Sequence, residues 1–449
     1  MSSASPLDLL QWATQHKAHI QNLTIRRHPT YGQGLYKRSS SPDSNKDDEA
    51  RMFIPTSIII SLDLIFRFTE EQQELSEVIE RLPKLPTLEP ILTLFLLWNI
   101  YLERAGTGSK FGSYVTRLPR ETWLPITWSE REISLLDIMD LSISHAVSEK
   151  RAFLHRLWER LRRGGGWFAT VTWEEYILAE AWVSSRTVEA GVEGGHSLVP
   201  IIDFANHSSR PNARWFIRDG CDTEGGSGVE LIVNPNVKNG EEIRIAYDFY
   251  RGSGEQLYRY GFIEDMSVEK MSKQVIVVDD GVVFRIGEGN VNDSFCDLGF
   301  LTYRNWYGVL FVTMLMRRVH LLPRYREDLK HVHSVMFGDD VQLLVQPLHQ
   351  APKTFSIPDL PSLVKTLHDS NTFLIARNTV LTTLKSIISY HHNRLLEAET
   401  RTPKERPDDI RPQVWELCLA CQAQEKNLLS KAKAVLSQHL AESKPVMQQ

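Results

Sequence analysis

The spacing of apolar positions changes four times along the chain. Residues 7–23 recur at helical spacing and predict a helix. The segment Tyr31-Gly32-Gln33-Gly34-Leu35-Tyr36 then reads as a strand carrying two alternating glycines. A run over 39–50, rich in Ser, Asp and Lys, buries too little apolar surface to order itself and is expected to be a mobile loop. Residues 51–60, rich in Ile and Phe, predict a strand that ends at a helix start. Pro55 disfavours a central position for it, because proline cannot donate to a ladder. From 62 to 184 the pattern is helical, with helices over 70–81, 91–104, 130–140, 148–162 and 173–184. Thr172 and Glu175 are spaced as a capping box for the last of them. Past a glycine-containing loop at 191–197, alternation predicts strands over 199–202, 213–218, 229–234 and 242–247, with 222–228 as a hairpin loop. A hairpin over 274–286 turns at Asp280-Gly281. Beyond it the chain is helical to about residue 440, broken by a proline-rich polar stretch at 402–412, which predicts a separate helical domain.

Length and composition narrow the class. At 449 residues the chain exceeds what one core usually supports, so two or three domains are expected. Hydrophobic residues at 42% and charged residues at 24% exclude a largely disordered or fibrous chain, and the lack of a fixed-period repeat excludes solenoids and propellers. With 51 Lys+Arg against 56 Asp+Glu there is no global basic field, so nucleic acid is not an expected partner. Four cysteines, at 221, 296, 418 and 421, make no disulfide scaffold and suit a reducing compartment, so a cytoplasmic location is expected, with entry into a nucleus left open. No secretory signal is expected from residues 1–20, which makes the Asn-x-Ser/Thr triplets at Asn22, Asn206 and Asn292 chance occurrences. The most apolar stretch, 91–102, falls short of the ~20 residues that span a bilayer and predicts a buried helix.

Candidate chemistry is densest between Arg186 and Phe262. Ser184-Ser185-Arg186 closes a helix. Asp203-Phe204-Ala205-Asn206-His207-Ser208 follows, then Gly240-Glu241-Glu242-Ile243-Arg244-Ile245-Ala246-Tyr247-Asp248, and finally Tyr260-Gly261-Phe262. Taken singly, each has a bland reading. Tyr247 can be a core tyrosine ending an alternating strand, Asn206-His207-Ser208 a self-satisfied turn, Arg186 a helix cap, Phe262 plain core, and Gly32 with Gly34 any turn or bulge. Cys418-x-x-Cys421 lacks the second ligand pair that four-coordinate zinc needs. With Val414, Leu417 and Leu428 it suits the buried face of a helix, and no metal is expected. His331, His333, His391 and His392 read as surface or interhelix residues, and Arg317-Arg318 with 324–326 as a solvated basic face.

In order and separation these segments resemble the second half of a SET domain, the methyltransferase fold that uses S-adenosylmethionine. More narrowly, the chain resembles the branch typified by the Rubisco large-subunit lysine methyltransferase. The shared features are the wide helical insertion before Arg186, Gly112-Ser113-Tyr114 leading to Leu118-Pro119, and a helical tail with Glu425-Lys426-Asn427-Leu428-Leu429. The resemblance implies an α+β chain: a SET-domain β-fold interrupted by a helical insertion and followed by a mainly α-helical substrate-binding domain. The expected domains are 1–61 as the first part of the SET domain, 62–185 as the insertion, 186–265 as the second SET part, and 266–449 as the tail. The cysteine-rich segment that histone-modifying members carry after the Tyr-Gly-Phe motif has no counterpart in 265–273.

The resemblance further implies that Asn206 and His207 hold S-adenosylmethionine, that Arg186 stands near its carboxylate and Phe262 against its adenine, and that Tyr31, Gly32 and Gln33 contribute backbone contacts. Family members often have an acidic residue where Tyr31 stands. Tyr247 is the implied catalytic residue, where a lysine channel meets the methyl group. Tyr260 walls that channel, and Asp203 and Arg186 lie on the substrate side. The chemistry asks for little more than a dry channel, since a lysine amine with a solution pKa of ~10.4 must lose its proton and meet the methyl in line. The expected activity is lysine methylation of a non-histone protein, with a ribosomal protein or translation factor as the implied target class. Two alternatives stay open: protein-histidine methylation, which an apolar Val188 in the pocket disfavours, and an inactive SET-fold binding module. Oligomeric state and the number of methyl groups added are not fixed by the sequence.

Overall fold

A computed structural model describes residues 7–28, 32–38, 49–83, 89–190, 195–219, 226–247, 252–264, 273–279, 282–288 and 371–442. The expectations for 39–48, 191–194, 220–225, the turn at 280–281, Cys296, His331, His333 and the basic residues at 317–326 lie outside them. The chain divides into two compact units. One comprises Met1–Ile133, His145–Phe249 and Gln256–Phe262, and the other Ser134–Ser144, Tyr250–Glu255 and Ile263–Gln449.

The first unit opens with α1 (Leu7–Gln15), β1 (His19–Gln21) and β2 (Leu23–His28). The helix expected over 7–23 is therefore cut short. Lys17 (φ 68°) and Asn22 (φ 54°) enter the left-handed region, which no helix continues through. Beyond Asn22 the apolar period is two rather than three to four, with Leu23 and Ile25 buried. β2 pairs antiparallel with β3 (Gly32–Lys37), and β3 pairs antiparallel with β10 (Glu242–Ile245). β10 runs parallel to the two-residue β7 (Asn206–His207), giving the order β2-β3-β10-β7.

A second sheet has the order β1-β4-β9-β8, with β4 Arg51–Pro55, β8 Ala213–Arg218 and β9 Gly228–Val233. β4 is interior, contrary to the expectation from Pro55. Pro55 lies opposite Gly228 at the strand's end, two residues past Phe53, where pairing with β1 stops, so its missing N–H faces no ladder partner. The strand expected over 199–202 is also corrected. Pairing occurs earlier, between β5 (Thr187–Glu189) and β6 (His196–Leu198). Pro200 has no donor, and Ile201 takes φ 76°, turning the chain into a 3-10 turn at Ile202–Phe204. Arg244 and Ile245 of β10 pair with Asn206 and His207 just beyond that turn, so the turn delivers the two residues to the sheet.

The helical insertion comprises α2 (Leu62–Glu71), α3 (Gln73–Glu80), α4 (Glu89–Ala105), the short α5 (Gly112–Val115), α6 (Glu130–Ile138), α7 (Ser144–Arg163) and α8 (Trp173–Arg186). The single helix expected over 70–81 is two, interrupted where Gln72 leaves helical geometry at φ −117°, ψ 78°. The capping box is present, Thr172 Oγ1 accepting from the Glu175 N–H and Glu175 Oε2 from the Thr172 N–H. α4 is buried on every side from Ile91 to Asn99, which is why its sequence reads as apolar throughout rather than amphipathic. One continuous core joins Leu35, Met52, Ile54, Leu231 and Ile243 of the sheets to Phe95, Phe111 and Trp182 of the helices. α9 (Ser253–Tyr260) then leads to Gly261-Phe262.

In the second unit β11 (Lys273–Asp279) and β12 (Val282–Glu288) pair antiparallel, with Asp279 opposite Val282. Two long helices follow, α10 (Asn371–Arg401) and α11 (Pro412–Glu442), separated by the proline-rich stretch. Cys418 and Cys421 are buried on one face of α11, with Val414, Leu417 and Leu428. Among the described residues no group of three or more His, Cys, Asp or Glu is placed to hold a metal ion, and no helix is long and apolar enough to cross a membrane.

Candidate active site

The site is assembled in the first unit, where β3, β7 and β10 meet the end of α8 and the segment after α9. β3 supplies Gly32 and Gln33. Gly32 has φ 86° with open space where a side chain would stand, so its backbone is accessible. Gly34 is different: a Cβ there would come within 2.9 Å of Glu242 Oε1 and 3.2 Å of Asn206 Nδ2. Glycine at 34 therefore lets β3 pass directly against the polar pair formed by those two residues. The Asn206 amide nitrogen donates to Glu242 Oε1 at 2.7 Å and faces the Gln33 carbonyl at 3.5 Å. With its N–H side occupied on this face, Asn206 keeps Oδ1 as an acceptor.

His207 and Tyr247 are locked to one another. The Tyr247 backbone N–H donates to His207 Nδ1 at 3.0 Å, so Nδ1 is an acceptor and a neutral imidazole carries its proton on Nε2. The Tyr247 phenol donates to the Ala205 carbonyl at 2.9 Å. Tyr247 lies two residues past the last paired residue of β10, and these two bonds fix its backbone and its hydroxyl separately. Around it stand three more rings. Tyr260 is centred 5.1 Å from Tyr247, His207 is stacked on Phe262 at 5.3 Å, and Tyr260 is stacked on Phe262 at 5.8 Å. Burial pushes the Tyr247 phenol well above its ordinary range, and the nearby Arg186 guanidinium opposes this only in part. The hydroxyl therefore stays protonated under any working condition.

Gly261 makes the turn between Tyr260 and Phe262. Its φ is 75°, and a Cβ would meet the Leu124 nitrogen at 2.7 Å, so only glycine fits.

Arg186 ends α8, and its guanidinium serves the 3-10 turn rather than the helix. Nη1 donates to the Asp203 carbonyl at 2.7 Å and to Asp203 Oδ2 at 3.3 Å, and the group lies over the Phe204 ring at 5.2 Å. Asp203 is buried, which raises its carboxyl above the ordinary value, while Arg186 and hydrogen bonds pull it back. Ile201, a buried β-branched residue at positive φ, sits at the head of this turn. Such backbone strain persists only where surrounding contacts impose it.

The structure thus brings together Gly32, Gln33, Arg186, Asp203, Asn206, His207, Tyr247, Tyr260 and Phe262. Tyr31 lies outside the described residues. Val188 is half-buried in β5 and packs against the core. Two partners entered the sequence reading only inside longer motifs, with no role of their own. Glu242 stood within the Gly240-Glu241-Glu242 motif and meets Asn206, and Tyr114, within Gly112-Ser113-Tyr114, donates to Asp203 Oδ2 at 2.8 Å from 89 residues away. For Glu242 a signal existed, since the register that places Arg244 beside Asn206 brings Glu242 to the same end of the sheet.

No protein-family model matches the chain. It is 28% identical over 186 residues to a SET domain-containing protein 8 of Schizosaccharomyces pombe, covering 41% of this chain and 40% of that protein. It is 27% identical over 188 residues to the chloroplastic Rubisco large subunit N-methyltransferase of Pisum sativum, covering 39% and 37%. The matched regions thus span about two fifths of each relative's length. In three dimensions the chain is similar to the SET domain of LSMT bound to lysine and AdoHcy (TM-score 0.59, 16% identity, 98% of this chain and 92% of that one) and to Rubisco LSMT bound to AdoMet (TM-score 0.57, 16% identity, 98% and 93%).

Proposed function

We propose that this chain, which has the α+β SET-domain fold of the Rubisco LSMT type, is an S-adenosylmethionine-dependent protein-lysine N-methyltransferase acting on a non-histone protein. The observation that carries the reading is the half-buried Tyr247, whose hydroxyl is tied to the Ala205 carbonyl inside a cluster of three other aromatic rings. Relatives whose names and titles include a methyltransferase, AdoMet and lysine support it.

The residues present fit the cofactor. Gly32 offers open backbone, Asn206 an amide oxygen that can accept from an ammonium group, and the half-buried Phe262 apolar aromatic surface suited to a purine. When bound, the cofactor supplies an electrophilic methyl group. The chain's own residues do the rest. Because the Tyr247 proton is committed to Ala205, its oxygen presents lone pairs and orients an amine N–H rather than donating to it. Because the phenol is held neutral, Tyr247 does not serve as the base. The incoming lysine must lose its proton on entering a dry site, where burial favours the neutral amine. The stacked rings of Tyr260 and Phe262 offer apolar walls for such a channel.

The test uses methyl-labelled S-adenosylmethionine and a cytosolic extract lacking this protein, with modified peptides mapped by mass spectrometry. Label on lysine side chains is expected. Label only on histidine, or none while calorimetry shows no cofactor binding, would replace the reading by histidine methylation or by a binding module. Tyr247→Phe keeps the ring but loses the oriented oxygen, so transfer should fall by about 10² or more with cofactor affinity retained. Full activity in that variant would remove Tyr247 from the chemistry.

A further inference from the structure

We propose that Tyr114 is a positioning residue, which sets the charge and orientation of Asp203 and through it the placement of Arg186 at the substrate end of the site. The proposal rests on the methyltransferase reading for its purpose, although its geometry does not. Asp203 Oδ2 is shared by two donors of different kinds, the Tyr114 phenol at 2.8 Å and the Arg186 guanidinium at 3.3 Å. The Asp203 side chain is 1% exposed, and Tyr114 is fully buried, so water does not replace either donor.

The phenol is suited to this task. Burial and the Asp203 carboxylate hold its ionisation well above the ordinary tyrosine range, so it remains a neutral donor through the acidic and neutral range. Its backbone is anchored to the core: the Tyr114 N–H donates to the carbonyl of Phe111 at 3.0 Å, and Phe111 is buried and packs at 5.4 Å from Phe95 and 6.0 Å from Phe68 and Trp12. Arg186 in turn depends on Asp203 through two contacts, to its side chain and to its backbone carbonyl. Removing the Tyr114 hydroxyl takes one of the two side-chain donors from Oδ2 of a buried carboxylate. That favours its protonated form, and a protonated Asp203 no longer balances the guanidinium.

The direct test is an NMR titration of protein labelled with [13Cγ]aspartate, the Asp203 resonance being the one lost in Asp203→Asn. Tyr114→Phe should move its midpoint up by about one pH unit, the scale of one hydrogen bond to a buried charge. Installing 3-fluorotyrosine at 114 makes a stronger donor of the same shape and should move the midpoint down, which keeps the test readable if the phenylalanine variant folds poorly. An Asp203 midpoint unmoved in the folded variants overturns the proposal. In methyl-transfer assays the acidic limb of kcat/KM should move to higher pH in Tyr114→Phe, with KM for the polypeptide rising more than kcat falls. A purely structural role for Tyr114 would lower the amount of active protein without moving that limb. The titration needs no turnover, so a wild-type protein that transfers no methyl group defeats the enzymatic reading and leaves the Asp203 result standing on its own.

Discussion

Each of the two units buries a carboxyl group, and each meets the cost differently. Asp203, in the first unit, faces a cation: Arg186 shares its Oδ2 with the Tyr114 phenol. Glu425, in the second, is held by the Ser142 hydroxyl, by the Ser142 backbone N–H at 3.2 Å and by the Cys421 thiol at 3.6 Å, all of them neutral, while the charge of Asp140 pushes the wrong way. Burial raises both groups. Arg186 restrains Asp203, whereas Glu425 is pushed up to about 7. A buried acid with a cation is built to stay charged, which suits a site that orders ligands. A buried acid with only neutral donors is built to be neutral through the acidic range, as a tie between α11 and the segment around Ser142.

The largest test of this contrast removes each carboxyl in turn. Asp203→Ala leaves the Arg186 guanidinium, itself only 18% exposed, without its counter-charge, and should cost about 3–5 kcal/mol in chemical denaturation. Glu425→Gln, which imitates the neutral acid, should cost no more than about 1 kcal/mol at pH 5. Equal losses at that pH would break the contrast.

Next comes pH dependence. Glu425 titrates near 4.5 when unfolded and at about 7 when folded, so between these values the folded chain holds more protons than the unfolded one. Stability from this group is therefore full below the lower value, falls as pH rises through the window, and is lost above the upper one. The loss amounts to about 3 kcal/mol. Measured as the difference between wild type and Glu425→Gln at each pH, the curve should slope only within that window. A flat difference would show that Glu425 remains charged when folded.

These two carboxyls also mark what could be read from the sequence. Asn206-His207, Tyr247 and Phe262 were singled out through the order and separation of motifs that together resemble a known family, since each alone fits a turn, a strand end or plain core, and the structure brings their side chains to one place. The capping box at Thr172, by contrast, was legible from its local spacing alone. Tyr114 with Asp203, and Ser142 with Glu425, are separated by 89 and 283 residues. Nothing local to either member signals the other, since a buried pair is a product of packing. Backbone choices misled the reading elsewhere. Lys17, Asn22 and Ile201 adopt positive φ without being glycine, so the helix over 7–23 and the strand over 199–202 looked continuous where the chain turns.

The smallest expected effect is the most discriminating within the second unit. Ser142→Ala removes the hydroxyl that meets Glu425 Oε1 and leaves the backbone N–H in place. At pH 5, with Glu425 protonated, the change exchanges one neutral hydrogen bond and should cost about 1 kcal/mol. Above pH 7 the same hydroxyl donates to a carboxylate, and charge-assisted bonds are roughly twice as strong, so the cost should grow by about a further 1 kcal/mol. The Glu425 midpoint should move upward with it, because the variant withdraws support from the charged form alone. A cost that is the same on both sides of pH 7 would mean that Ser142 packs against Glu425 without sensing its charge. In that case the tie would be one of shape, set by the close fit at Gly254, where a Cβ would stand 2.8 Å from Ser142 Oγ and 2.9 Å from Glu425 Oε1.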